Sequence, residues 1–220
     1  MKKVSIQKPI LNANDRLAQK ISAKLDGAGV FAVNVMASPG AGKTSLILAT
    51  VRALKKKFNT AVIEGDVVPV DVDRIKKLKV PAIMANTGGA CHLDAVMVQK
   101  ALSKLRLQSL DLLIIENVGN LICPMNFKLG SHLNVVIASV PEGADKPYKY
   151  PGMFKGAQVL ILNKADYLKT ERFNLKYFKK GVRLLNPNVK FFTVSAKTGE
   201  GIDDWISWLD DQVINYRFQT

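Results

Sequence analysis

Apolar residues along this chain gather into short unbroken blocks, and between the blocks they recur every three or four positions. The blocks are the run that opens at Phe31, then Thr60 to Glu64, Pro81 to Asn86, Asp111 to Glu116, Leu133 to Val140, Ala157 to Leu162 and Val189 to Val194. Blocks this short and this continuous predict strands buried on both faces. The spacing between them predicts helices. Asn14 is placed to cap one that carries Leu17, Ile21 and Leu25 on one face, ends at Gly27 and Gly29, and packs at the domain edge. Ile47, Leu48, Val51 and Leu54 mark another, residues from about Asp71 to Leu78 a third, and Leu93 to Leu105 a fourth. A closing helix carries Ile202, Trp205, Trp208 and Leu209.

Strands alternating with amphipathic helices, without hairpin turns, predict an α/β fold whose mostly parallel sheet is covered by helices on both faces. Ligands of such a sheet sit beyond the C-terminal strand ends, and the polar clusters of the sequence fall there. Residues 1–11 show no periodicity, and no internal repeat or low-complexity segment is present. The expected division is an N-terminal helical extension over residues 1–30 and one domain over residues 31–215.

The first block stops at a loop whose chemistry is recognisable. Residues 37 to 44 follow the phosphate-binding pattern Gly, four residues, Gly-Lys-Ser/Thr, with Ala37 standing in the first glycine position. The pattern predicts the P-loop of a P-loop NTPase. Pro39, Gly40, Ala41, Gly42, Lys43, Thr44 and Ser45 would wrap a polyphosphate, the two glycines letting backbone amides turn inward. Lys43 would reach the outer phosphates, the Thr44 hydroxyl would ligate Mg²⁺, and the helix that follows points its positive end at the same anion.

Phosphoryl transfer places Mg²⁺ opposite that loop, so a carboxylate is expected at the end of a neighbouring buried strand. Glu116, in LLIIENVG, fits that place; Gly119 can donate its amide to the terminal phosphate, with Asn117 and Asn120 nearby. Asp66, after the second block, is a further acid, suited to magnesium or to orienting the attacking water. No glutamine follows Gly119 and no arginine finger is evident, which predicts slow unaided turnover. The strand VLILNKAD then delivers Asn163, Lys164 and Asp166 in an Asn-Lys-x-Asp pattern. A carboxylate there accepts from guanine N1–H and the 2-amino group, whereas adenine would leave it unpaired, so GTP is the expected nucleotide. Lys164 would lie along the base and Asn163 would tie neighbouring loops together. Ser195, Ala196 and Lys197 follow the last strand and are suited to touching the guanine carbonyl.

Composition changes this picture in two respects. The chain has 220 residues, 48% of them hydrophobic, and a formal charge of +14. The cations sit in short helix-like clusters, Lys55 to Lys57, Lys76 to Lys79, and Lys179 with Lys180, which read as solvated helix faces. No RNA-binding module or basic-aromatic stripe points to nucleic acid. No apolar run approaches the ~20 residues needed to cross a bilayer, and Met1-Lys-Lys leads into no secretory segment, so a cytoplasmic protein without a membrane partner is expected. Two cysteines make no disulfide framework. Cys91-His92 and Cys123 lie in loops on the nucleotide side, and thiolates with imidazole suit Ni²⁺ or Zn²⁺. Three ligands fall short of a closed tetrahedral site, which two chains placed face to face would complete. The alternative is two small buried hydrophobes and a hydrogen-bonded histidine.

Taken together, ASPGAGKTS, VIEGD, NTGGACHLDA, IENVGNLICP, SVPEGADKPYKYPGMF, LNKAD and SAKTGEGIDDWISWL resemble the HypB-type hydrogenase maturation GTPases over about residues 31 to 210. The resemblance implies a GTPase fold of the signal-recognition and MinD-like class, slow GTP hydrolysis and GTP-promoted homodimerisation. It also implies a Ni²⁺ or Zn²⁺ site at the dimer interface formed by Cys91, His92 and Cys123. The implied partners are a small nickel metallochaperone and the hydrogenase large subunit. A rival expectation is a metal-carrying interaction protein in which hydrolysis is incidental. Urease accessory GTPases are similar but carry a Cys-Pro-His motif that is absent here. Gly89 stands where the family often has Lys, and residues 1–30 contain neither a Cys-rich motif nor a His-rich tract, so high-affinity nickel storage is not expected.

Overall fold

The computed structural model describes residues 7–66 and 70–219; residues 1–6 of the aperiodic start and residues 67–69 of the polar loop after Asp66 lie outside that description. The strands are β1 (Phe31–Ala37), β2 (Thr60–Asp66), β3 (Ala82–Asn86), β4 (Leu112–Gly119), β5 (Leu133–Ser139), β6 (Val159–Asn163) and β7 (Lys190–Thr193). They form one sheet in the order β3-β2-β4-β1-β5-β6-β7, with every neighbouring pair parallel. The chain therefore starts in the middle of the sheet and winds outward to both edges. That reversal of direction at β1 opens a crevice above the C-terminal strand ends.

The helices are α1 (Gln7–Asp26), α2 (Lys43–Leu54), α3 (Val70–Lys76), α4 (Ala95–Leu102), α5 (Lys146–Lys149), α6 (Pro151–Lys155), α7 (Leu175–Leu185) and α8 (Ile202–Gln219). Alternate residues of each central strand go to opposite cores. Leu112 and Ile114 of β4 join α2, α3 and α8 on one face; Leu113 and Ile115 join α1 and α4 on the other. Beyond them, Met36, Val136 and Leu160 pack with Phe154 of α6 and Phe178 of α7. Burying a side chain of this size contributes roughly 1.5–3 kcal/mol, so the central strands are the most firmly held part of the molecule.

The first helix departs from expectation in an informative way. It begins at Gln7 rather than after Asn14, which sits within it, 8% exposed. Asn14 caps a different helix: its Oδ1 accepts from the backbone N–H of Ala95, the first residue of α4, at 2.9 Å, while Nδ2 donates to the Lys128 carbonyl at 2.9 Å. The orphan amide of a helix start is thus satisfied from across the structure. With Ala18, Ile21 and Leu25 buried in the sheet-face core, α1 covers a face of the sheet beside α4. The basic clusters, by contrast, lie where the charge pattern predicts, with Lys55, Lys56, Lys57, Lys76, Lys77 and Lys180 all exposed.

Candidate nucleotide and thiol–imidazole site

The loop between β1 and α2 turns on glycines. Gly40 and Gly42 have φ of 74° and 94°, values that favour glycine, and Gly42 is the N-cap of α2 with no side-chain cap hydrogen bond. No acidic residue occupies the first turn of α2, so its leading amides and the helix dipole face the cleft as an anion-binding end. Thr44 donates its hydroxyl to Glu116 Oε1 at 2.8 Å, and both are buried. A Cβ on Gly119 would stand 3.2 Å from the backbone N and Cα of Pro39 and 3.3 Å from Lys43 Nζ. The end of β4 thus lies directly on the P-loop and its lysine.

Gly40, Gly42, Lys43, Thr44, Ser45, Asp66, Glu116 and Gly119 line this one cleft, of about 250 Å³. Pro39 and Ala41, expected to wrap the same ligand, are not among its lining residues. Pro39 packs against Gly119, and Ala41 is buried, its carbonyl used within the protein. Two further residues enter the cleft that the sequence reading did not single out, Glu64 and Arg74. Glu64 is 2% exposed and stands opposite Glu116 in the β2–β4 register, so two buried carboxylates lie side by side below Thr44. An acid inside the apolar block before Gly65 was the available signal. Arg74 reaches the cleft from α3, which only the tertiary fold brings there. A carboxylate pair, a hydroxyl and an uncapped helix start form a donor set suited to Mg²⁺ and a phosphate chain together.

The second cleft adjoins the first. Gly42, Ser45, Asn163, Lys164, Asp166, Ser195, Ala196 and Lys197 line a space of about 310 Å³, joined by Tyr167. Asn163, 1% exposed, donates Nδ2 to the Ala41 carbonyl at 2.9 Å and accepts at Oδ1 from Ala196 N–H at 3.1 Å. It therefore ties the P-loop to the last loop. A Cβ on Gly42 would meet Asn163 Nδ2 at 2.4 Å, so that glycine is required by contact as well as by φ. Ser195 donates to Asp166 Oδ1 at 2.6 Å, fixing the carboxylate at the cleft. Lys164 adopts the left-handed region with φ 59°, turning the chain out of β6. Below the P-loop, Glu142 accepts from the Ser139 amide at 2.9 Å, from the Ser139 hydroxyl at 2.7 Å, and from Ser38. The Ser139-x-x-Glu142 capping-box spacing was its sequence signal.

The third constellation is outside both clefts but on the same side of the sheet. The ligand atoms of Cys91, His92 and Cys123 all lie within 4.8 Å of one another, and Cys91 Sγ is 3.6 Å from His92 Nδ1. Cys91 is exposed and the other two half-buried. The His92 ring stacks on Phe127 with centroids 3.8 Å apart. Burial holds His92 below the ordinary histidine value, opposed by the nearby Asp94 charge, and so favours the neutral imidazole that ligates metals. The Cys123 thiol is pushed up, first by its hydrogen bond with Cys91, then by burial and the Cys91 charge, with Asn120 acting the other way. Two thiols beside a neutral imidazole suit a soft or borderline divalent cation, whose binding displaces thiol protons. Phe127 lies outside every sequence motif that pointed to this cluster, and its role is visible only in space.

Residues 31–193 match a family described as CobW/HypB/UreG, nucleotide-binding domain. The hydrogenase maturation factor HypB of Azotobacter chroococcum mcd 1 is 44% identical over 210 residues, covering 95% of this chain and 69% of that protein. The chain belongs to the HypB family. A crystal structure of Helicobacter pylori HypB in complex with nickel superposes with a TM-score of 0.87 at 38% identity, covering 93% of this chain and 97% of that one. HypB from Archaeoglobus fulgidus superposes at 0.86 with 36% identity over 92% and 99%. The fold class expected from the sequence and the HypB resemblance are both borne out, and the chain is a nucleotide-binding P-loop protein. No described helix is long and apolar enough to cross a membrane.

Proposed function

We propose that this chain binds and slowly hydrolyses GTP and couples its nucleotide state to carrying nickel for [NiFe]-hydrogenase maturation. The observation that carries the reading is one of placement: a phosphate cleft, a base cleft and a thiol–imidazole cluster all open on one side of the sheet, with Glu116, Gly119 and Cys123 within one short segment. The family match and the nickel complex of the H. pylori relative support it.

In this reading Lys43 neutralises the outer phosphates, Thr44, Glu116 and Asp66 hold Mg²⁺, and Gly119 donates its amide to the terminal phosphoryl group. Mg²⁺ when bound supplies charge neutralisation across the phosphates. Asp166, oriented by Ser195, selects guanine, while Asn163 holds the loops that Lys164, Ala196 and Lys197 contribute. Cys91, His92 and Cys123 carry the nickel, or zinc in its place, and a second copy completes the coordination. Residues 31–215 are the GTPase domain and residues 1–30 its extension. The protein acts in the cytoplasm as a homodimer, with a small metallochaperone and the hydrogenase large subunit as partners.

The test is metal content and oligomeric state measured on one preparation, first with GDP and then with a non-hydrolysable GTP analogue. The analogue is expected to produce a dimer and to change nickel occupancy. Identical mass and identical occupancy in both states would overturn the proposal.

A further inference from the structure

Asn117, near the end of β4, and Asn120, just after it, make two sets of hydrogen bonds that the nucleotide and metal roles leave unused. Asn117 is fully buried. Its Oδ1 accepts from the Leu93 amide at 3.0 Å and from the Val118 amide at 2.9 Å, and its Nδ2 donates to Asn34 Oδ1 at 3.2 Å. Asn34 in turn donates to Asn134 Oδ1 at 3.0 Å. The β1–β4 register shifts here, Val35 facing Glu116 but Ala37 facing Gly119, so β4 carries an extra residue. Asn117 supplies the acceptor for an amide that the bulge takes out of the ladder. It thereby pins the residue after His92 to three strands of the sheet.

Asn120 does something different. It is half-buried, and its Oδ1 accepts from the amides of Ile122 at 2.7 Å and Cys123 at 3.3 Å. These bonds stay within the segment and tie residues 120, 122 and 123 to one another. The Ile122 side chain is 63% exposed, and the segment's apolar hold is Leu121, which packs in the core with Met36, Val136 and Phe154.

We propose that Asn117 and Asn120 are positioning residues that make the two arms of the thiol–imidazole cluster respond unequally to the nucleotide. Asn117 locks the Cys91–His92 arm to the sheet. Asn120 converts displacement at Gly119 into displacement of Cys123. Loss of the terminal phosphate then moves one ligand against two stationary ones. Displacing Asn117 would strand several buried polar groups without partners, whereas a moving Asn120 keeps its own bonds. The inference rests on the nucleotide-coupled nickel carriage proposed above.

The experiment is a nickel titration of the full chain with GDP and with a non-hydrolysable GTP analogue, read by thiolate-to-nickel charge-transfer absorption. Nucleotide affinity is measured separately without nickel. For Asn120→Ala, both nucleotides bind as in the wild type, and the ratio of nickel affinities between the two states falls toward one, a loss on the order of tenfold. Asn120→Asp, whose carboxylate still accepts both amides, restores the ratio. Asn117→Ala weakens nickel binding equally in both states and leaves the ratio intact. A wild-type ratio in Asn120→Ala, or a ratio abolished only by Asn117→Ala, overturns the proposal with the carriage reading intact. Equal nickel affinity of the wild type in both states overturns both.

Discussion

Around the base cleft, the residues that set the geometry are buried and bonded to one another: Asn163 is 1% exposed, Ser195 is 0% exposed, and both hold neighbouring loops. Around the thiol cluster, Cys91 is exposed, and His92 is held by one aromatic stack and by the chain on either side of it. The first arrangement suits a ligand read by fixed hydrogen bonds, where a displacement of more than about 0.5 Å loses selectivity. The second suits a cargo that must be both held and released, which requires ligands able to separate at modest cost. Rigidity and release therefore occupy different ends of the same strand-end surface, with β4 between them.

Substitutions that break the rigid half are expected to have the largest effects. Asp166→Asn turns one acceptor facing guanine into a donor, and GTP affinity is expected to fall by about 100-fold or more, measured by competition against a fluorescent guanine nucleotide. An unchanged affinity would remove Asp166 from the base site. Gly42→Ala places a methyl 2.4 Å from Asn163 Nδ2 at a φ of 94°. Its expected cost is roughly 1–3 kcal/mol of stability, seen as a lowered thermal midpoint together with weakened nucleotide binding. If only stability fell, the loop tie through Asn163 would not reach the ligand.

Softer changes sharpen the other half of the comparison. Phe127→Ala removes the ring on which His92 stacks, and nickel affinity is expected to fall about 3- to 10-fold with nucleotide affinity unchanged. Equal nickel affinity would show that the stack does not orient His92. The smallest effect is expected at the opposite end of the sheet, away from both halves. There the Tyr216 hydroxyl donates to Asp26 at 2.6 Å, and His132 Nε2 lies 2.9 Å from the same oxygen. The Tyr216 bond, joined by His132 and opposed by burial, holds Asp26 below the ordinary aspartate value, while Tyr216 itself is pushed up by burial and by Asp26. Asp26 keeps its charge to lower pH when folded than when unfolded. Its contribution is complete above the ordinary aspartate range and is lost as pH falls through the lower folded value. Tyr216→Phe should therefore move the acid-unfolding midpoint slightly upward and leave the nucleotide and nickel sites untouched. A midpoint that stays put would assign the stability to the ring stacking of Phe31, His132 and Tyr216 instead.

Much of the fold was legible because buried parallel strands leave unbroken apolar blocks, and each of the seven blocks is a strand. Boundaries moved where side chains supplied hydrogen bonds the pattern does not encode. β4 runs on to Gly119 rather than stopping at Glu116, helped by the Asn117 side chain at its bulge, and α1 starts before Asn14 because that residue serves α4. Lys43, Thr44, Glu116, Asn163 and Asp166 were legible because phosphate and base chemistry demands fixed residue types at fixed spacing. Arg74 and Phe127 were not, because a helix and a loop outside the motifs carry them to the cleft and the cluster; Glu64 and Tyr167 lie beside marked residues in the chain, but strand register and the turn after β6 aim them inward.

By itself the amino-acid order determined the strand blocks, the P-loop and the Asn-Lys-x-Asp tetrapeptide, which depend on neighbours a few positions apart, and it offered two thiols and an imidazole as candidates. Tertiary structure alone decided that Cys123 meets Cys91 and His92 within 4.8 Å, and that two glutamates lie side by side under Thr44. It also decided that one asparagine serves a helix eighty residues away in the chain. The physical reason is that these outcomes depend on parallel register and on where a central strand reverses the winding of the sheet, and neither is written in any local stretch.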